Sequence, residues 1–187
     1  MLKYLARFSL VAVALTTTPA SAGEWFTHPF GELRAYHGSW LAVCSDSGRG
    51  ECRAVQMAGD DGSGSFFGSR RMSIVVKEPQ GYTVEIFQRG MTTPISGSVT
   101  LNIDGSRTNL TDDQWSDGAP EYTNVLETFS LRGDGLMNKL VAEMKAGNQL
   151  YVRHSPSEND RRTIRFDLHG FTSVMNAINK HLQNRKN

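Results

Sequence analysis

Hydrophobic and polar residues alternate in short runs along most of this chain, and the runs are separated by turn chemistry. Trp40-Leu41-Ala42-Val43-Cys44 and Cys52-Arg53-Ala54-Val55-Gln56-Met57 read as strands joined by a polar, glycine-containing turn. Met72–Lys77 and Tyr82–Phe87 flank a Pro79-Gln80-Gly81 turn, and the second run places Tyr82, Val84 and Ile86 on one face. Val99–Ile103 alternates again before an Asp104-Gly105 turn. Near Gly135 the period changes. Leu136, Leu140 and Met144 recur every four residues with Met137 and Val141 beside them, and Gly147 follows; this predicts an amphipathic helix of about three turns. Strand patterns return at Gln149–Arg153 and Thr163–Leu168. In the second, Ile164, Phe166 and Leu168 point one way while Arg165 and Asp167 point the other. A last helix begins at Thr172 or Ser173, with Val174, Ala177, Ile178 and His181 on its inner stripe, and ends in a polar tail.

The stretches between these runs are polar. Glu24–Gly31 is aromatic but not periodic and reads as an extended arm that packs down. Gly59–Ser65 reads as a flexible loop, and 106–124 as a long irregular excursion. Many short strands with two covering helices predict a mainly β single domain: a β-sandwich or partly open barrel, with one amphipathic helix before the last two strands and a C-terminal helix.

The first 22 residues belong to another kind of segment. Lys3 and Arg7 precede the apolar run Phe8–Leu15, and small residues follow to Ala20-Ser21-Ala22. A positive end, an apolar core too short to span a bilayer and an A-x-A site are the marks of a secretory signal peptide, with cleavage expected between Ala22 and Gly23. The mature chain, 23–187, then holds 18 basic against 19 acidic side chains, a net charge of −1. Such a balance gives no bulk attraction for nucleic acid or anionic membrane. No later segment reaches 18 consecutive apolar residues, so no transmembrane segment is expected after signal removal. A peripheral membrane association stays open. The expected location is the periplasm, the medium or the outer surface, which disfavours kinases, dehydrogenases and other users of cytosolic cofactors; no cofactor is expected.

Cys44 and Cys52 are the only cysteines. In an oxidising compartment this close, even pair reads as one disulfide. Seven residues lie between them where a redox motif has two, which argues against catalysis, and two cysteines without a suitably spaced histidine do not make a zinc site.

Read in order, these pieces resemble the invasion-associated locus B family of bacterial envelope proteins. The resemblance is carried by the signal peptide, Trp40, Val43-Cys44, the polar spacer, Cys52 and Gln56. It continues through the Gly97–Gly105 segment, a helix ending in Lys145-Ala146-Gly147, and a last strand leading into Leu168-His169-Gly170-Phe171 and a closing helix. Members often carry a second cysteine pair ahead of the first helix, whereas Thr128–Gly135 has none here, and the 59–71 stretch is unusually glycine-rich. The chain resembles a divergent member. The resemblance implies a periplasmic or surface-associated protein, linked in some bacteria to host-cell entry, with no established enzymatic activity and no catalytic residues to carry over.

The remaining candidate chemistry is thin. The five histidines, His28, His37, His154, His169 and His181, show no metalloenzyme spacing, though they could converge in space. Gly-x-Ser-x-Gly is absent, so a Ser/His/Asp hydrolase would have to assemble from dispersed residues. Counting an EF-hand from Asp113 puts Trp115 at a ligand position, and the pattern fails. Loop aromatics are the stronger signal: Phe66, Phe67, Trp115 and Tyr122 form the candidate binding face, with Arg70-Arg71 and Arg161-Arg162 as basic neighbours. The leading expectation is a non-enzymatic envelope protein that binds an unidentified protein or envelope partner. The alternatives are a periplasmic hydrolase or metal-dependent enzyme, and a small-molecule carrier.

Overall fold

Twelve strands and two helices are laid out in the computed structural model, which describes residues 23–58, 69–77, 81–90, 99–118, 127–157 and 159–186. The strands are β1 (Phe26–His28), β2 (Glu32–His37), β3 (Trp40–Cys44), β4 (Cys52–Ala58), β5 (Arg70–Lys77), β6 (Gly81–Gln88), β7 (Thr100–Ile103), β8 (Ser106–Asn109), β9 (Trp115–Asp117), β10 (Thr128–Leu131), β11 (Gln149–Ser157) and β12 (Asp160–Asp167). The helices are α1 (Asp134–Ala146) and α2 (Phe171–Asn184). Residues 1–22, expected to be a signal peptide, residues 59–65, expected to be a loop, and Phe66, Phe67 and Tyr122 lie outside the described residues.

All pairing is antiparallel. A large sheet runs β1-β2-β3-β4-β5-β6-β10-β9 and a smaller one β12-β11-β7-β8. The architecture is mainly β, with two sheets and two helices and no closed barrel, as the sandwich expectation has it; the partly open barrel is set aside. The strand patterns explain the layering. On β12, Ile164 and Phe166 are buried while Arg161, Thr163 and Arg165 are exposed, and on β11 Leu150 and Val152 are buried while Tyr151 and Arg153 are exposed. Period-2 alternation of this kind gives a sheet with one wet and one dry face.

The dry faces and both helices share one core, in which Trp40, Phe129, Phe166 and Phe171 are fully buried. Helix α2 buries Phe171, Val174, Met175, Ile178 and Leu182 and packs on β2, β3 and β4. Helix α1 packs on β6 and α2 and borders β7 and β8 through Leu136 and Leu140 against Leu101 and Ile103. Removing one such side chain from water contributes about 1.5–3 kcal/mol. Among the described residues, the buried side chains of both sheets and both helices form one continuous cluster between the layers.

Two expectations change, and one strand is new. The N-terminal arm is a hairpin, β1 with β2, that extends the large sheet. The 106–124 excursion contains β8, a 3-10 turn at Asp112–Gln114 held by a Thr111/Gln114 capping box, and β9. β10 is a strand paired with β6 and β9 and buried along its whole length, its polar Thr128 and Ser130 as well as its apolar Phe129 and Leu131.

Candidate functional site

Among the described residues nothing covers the outer face of the small sheet, and strand register decides what it displays. Across the sheet, Arg107 on β8 lies opposite Asn102 on β7, Asn102 opposite Tyr151 on β11, and Tyr151 opposite Arg165 on β12. The next row outward reads Asn109, Thr100, Arg153 and Thr163. Adjacent strands stand about 4.8 Å apart and same-face residues on one strand about 6.7 Å apart. An exposed tyrosine therefore sits at the centre of a grid with arginines around it. Arg161 extends the same face along β12. Thr100, Asn102, Arg107, Tyr151, Arg153 and Thr163 line a shallow, open concavity of about 260 Å³.

The grid is held in place. The Tyr151 hydroxyl donates to Gln149 Oε1 at 2.7 Å, and Thr100 Oγ1 donates to Asn109 Oδ1 at 3.0 Å. Among the described residues none of Arg107, Arg153, Arg161 and Arg165 makes an ion pair. The carboxylate in the outward row of β12 is Asp167, and it is already engaged. Its Oδ1 accepts from the His169 backbone N–H at 2.9 Å and its Oδ2 from Ser39 Oγ at 2.8 Å. The His169 N–H, then Ser39 and the charges of His169 and Arg165, hold its carboxyl below the usual aspartate range against the opposing effect of burial. Asp104, in the β7–β8 turn, is likewise engaged by the N–H groups of Asn148 and Gln149. Arginines thus outnumber carboxylates on this face, where Asp167 keeps its negative charge at the end of β12 beside Arg165.

Cys44 and Cys52 are directly opposed on β3 and β4 and form a disulfide. Their loop is gripped by the end of α2: His181 Nε2–H donates to the Gly48 carbonyl at 2.7 Å, and Arg185 donates to the carbonyls of Gly50, at 2.7 Å, and Arg49. The cysteine sulfurs and His181 lie within 4.8 Å of one another. With both sulfurs bound to each other, neither is a thiolate ligand, and only the imidazole is left.

The other histidines sit apart. Ser39, Asp167 and His169 do gather where the His37-Gly38 turn meets the His169-Gly170 turn. However, the Ser39 proton goes directly to Asp167, and His169 contributes its backbone N–H where a hydrolase would need its ring between serine and carboxylate. His37 has its pKa lowered by burial, and its Nε2 is buried without a hydrogen-bond partner. His154 is fully buried beside Phe129, and its Nε2–H donates to Gln88 Oε1 at 2.7 Å. Burial, then the nearby charges of Arg162 and Arg70, push its pKa down to about 4, with Asp160 opposing. It is a neutral core histidine. Asp113, from the acidic cluster, accepts from Thr111 Oγ1 at 2.5 Å, a local turn contact.

Of the aromatic candidates, Trp115 is half-buried and packs against the core. Phe30, Tyr36 and Tyr151 are the exposed large rings among the described residues. Among the basic neighbours, Arg162 pairs with Asp160 and Arg71 lies over the Phe87 ring, while Arg161 stands free on the small-sheet face. Sequence alone gave no warning of this grid, because Arg107 joins it only through the register of an all-polar edge strand.

A family model described as "Invasion associated locus B (IalB) protein" matches residues 40–179. Among solved structures, the crystal structure of invasion associated protein B from Bartonella henselae is similar in fold. Its TM-score is 0.58 at 16% sequence identity, covering 82% of this chain and 99% of that one. No curated protein sequence matches significantly.

Proposed function

The chain belongs to the invasion associated locus B family, and from that premise we propose that it is an envelope protein of bacteria that works by binding. In this reading the signal peptide directs export, Gly23 becomes the mature N-terminus, and residues 23–187 act as one domain in the periplasm or at the cell surface. A disulfide that matures in an oxidising compartment supports that location. Among the described residues no helix is long and apolar enough to cross a membrane.

The observation that carries the binding reading is the outer face of the small sheet. Arg107, Arg153 and Arg165 stand around an exposed tyrosine with Arg161 further along β12, the backbone beneath is a four-stranded antiparallel sheet, and Asp167 and Asp104 already accept hydrogen bonds. Rigid strands presenting Arg and Tyr are the material of recognition surfaces.

A photo-crosslinking side chain at position 151, introduced in intact cells at native expression, tests it against the same group at Lys180 on α2. Adducts from 151 and not from 180 are expected. No adduct from either position would contradict the reading.

A further inference from the structure

Resting on that binding reading, we propose that the outer face of the small sheet binds a linear acidic polysaccharide, one bearing carboxylate or sulfate groups along its length.

The charge on the face asks for an anion, and for more than one. Arg107, Arg153, Arg161 and Arg165 are exposed and make no ion pair among the described residues. By register Arg107 and Arg165 occupy the two ends of one cross-strand row, about 14 Å apart. A single carboxylate or phosphate cannot reach both ends, whereas a chain of repeating acidic units can. All four are arginines, whose planar fork bonds a carboxylate or sulfate through two parallel N–H donors.

Between the charges lie groups suited to sugar. The Tyr151 ring offers a flat face, tethered through its hydroxyl to Gln149. Thr100, Asn102, Asn109 and Thr163 supply amides and hydroxyls in the same two rows. The concavity is shallow and open, so an extended chain lies along it and does not enter.

Other polyanions fit less well. Single-stranded nucleic acid is gripped by several aromatic platforms stacking successive bases, and this face has one ring. A lipid surface calls for protruding apolar side chains between the cations, and the outward positions here are Thr, Asn, Gln, Arg, one Asp and one Tyr.

The test titrates the mature protein with three oligosaccharides of equal length: a heparin fragment, an oligogalacturonate and a neutral dextran. A single-stranded oligonucleotide of matched charge is the fourth probe. The heparin fragment or the oligogalacturonate should bind, dextran should not, and raising salt from about 50 to about 300 mM should weaken binding by about tenfold or more. Arg107→Gln/Arg153→Gln/Arg165→Gln should lose at least about tenfold, while the charge-matched Arg132→Gln/Lys139→Gln/Lys180→Gln should change by less than about twofold. Tyr151→Ala should lose about three- to tenfold with the salt dependence kept. Unchanged unfolding midpoints show that the variants still fold. The proposal is overturned if neither acidic oligosaccharide binds, if both triple variants lose equally, or if the oligonucleotide binds more tightly. Were the oligosaccharides to fail while position 151 still crosslinks in cells, the glycan assignment would fall and the binding reading would stand.

Discussion

Gln56 and Asp167, 111 residues apart, exchange a pair of hydrogen bonds that joins the two sheets. Gln56 Nε2 donates to the Asp167 carbonyl at 2.6 Å, and the Asp167 N–H donates back to Gln56 Oε1 at 2.9 Å. A side-chain amide here does the work of a neighbouring strand at the end of β12. The same carbonyl accepts from Trp40 Nε1 at 2.9 Å. β12 carries Arg165 two residues away, so this clasp also positions one corner of the arginine grid.

Gln56→Ala should therefore destabilise the fold by about 2–3 kcal/mol, because a buried peptide N–H loses its acceptor and a cavity opens. Gln56→Glu should cost more, since a carboxylate cannot donate to the Asp167 carbonyl. Urea unfolding at neutral pH measures both.

A second junction lies beside the first. Gly170 has φ +88°, and a Cβ there would fall 2.0 Å from the His37 carbonyl oxygen. Gly170→Ala should cost at least about 2 kcal/mol through backbone strain and separation of the two turns. Gly105→Ala serves as the comparison: its φ is also positive, at +97°, but no atom lies within 4 Å of the added carbon, so its loss should be the smaller. Thermal unfolding of the two variants gives the difference.

Reduction of Cys44–Cys52 should lower stability by about 2–3 kcal/mol, the chain-entropy value for so short a loop, without abolishing the fold. The loop stays anchored by His181 and Arg185 on α2. A lowered denaturation midpoint with an unchanged urea slope is the expected outcome, read by far-ultraviolet circular dichroism with and without a dithiol reductant.

His154 predicts an acid-sensitive step. Its folded pKa, about 4, lies below the ordinary 6.5, so the unfolded chain binds the proton more readily. Stability contributed by keeping this ring neutral is fully present above about pH 6.5 and is lost as pH falls toward 4, on the order of 3 kcal/mol in full. Urea midpoints at pH 7.5 and 4.5 should fall further for the native chain than for His154→Gln.

Much of this fold could be read from residue order. Short apolar runs around a polar turn found β3 and β4, period-2 alternation found β6, β7 and β12, and the four-residue spacing of Leu136, Leu140 and Met144 found α1. The missed strands have different causes. β8 reads Ser-Arg-Thr-Asn and is held as an edge by pairing with β7, so no apolar position announces it. β10 does alternate, Thr128-Phe129-Ser130-Leu131, but over only four residues, the shortest run that marks a strand. The arginine grid was illegible because β8 carries no strand pattern. Arg153 and Arg165 look like ordinary exposed strand residues until register sets Arg107 in line with them.

The outer face of β7, β8, β11 and β12 is the surface proposed to meet the ligand. Titrating isotope-labelled protein with the acidic oligosaccharide and following backbone amide resonances tests it most directly. Shifts should concentrate at Thr100, Asn102, Arg107, Tyr151, Arg153 and Arg165. Shifts concentrated instead around Phe30 and Tyr36, or around the Cys44–Cys52 loop, would contradict it.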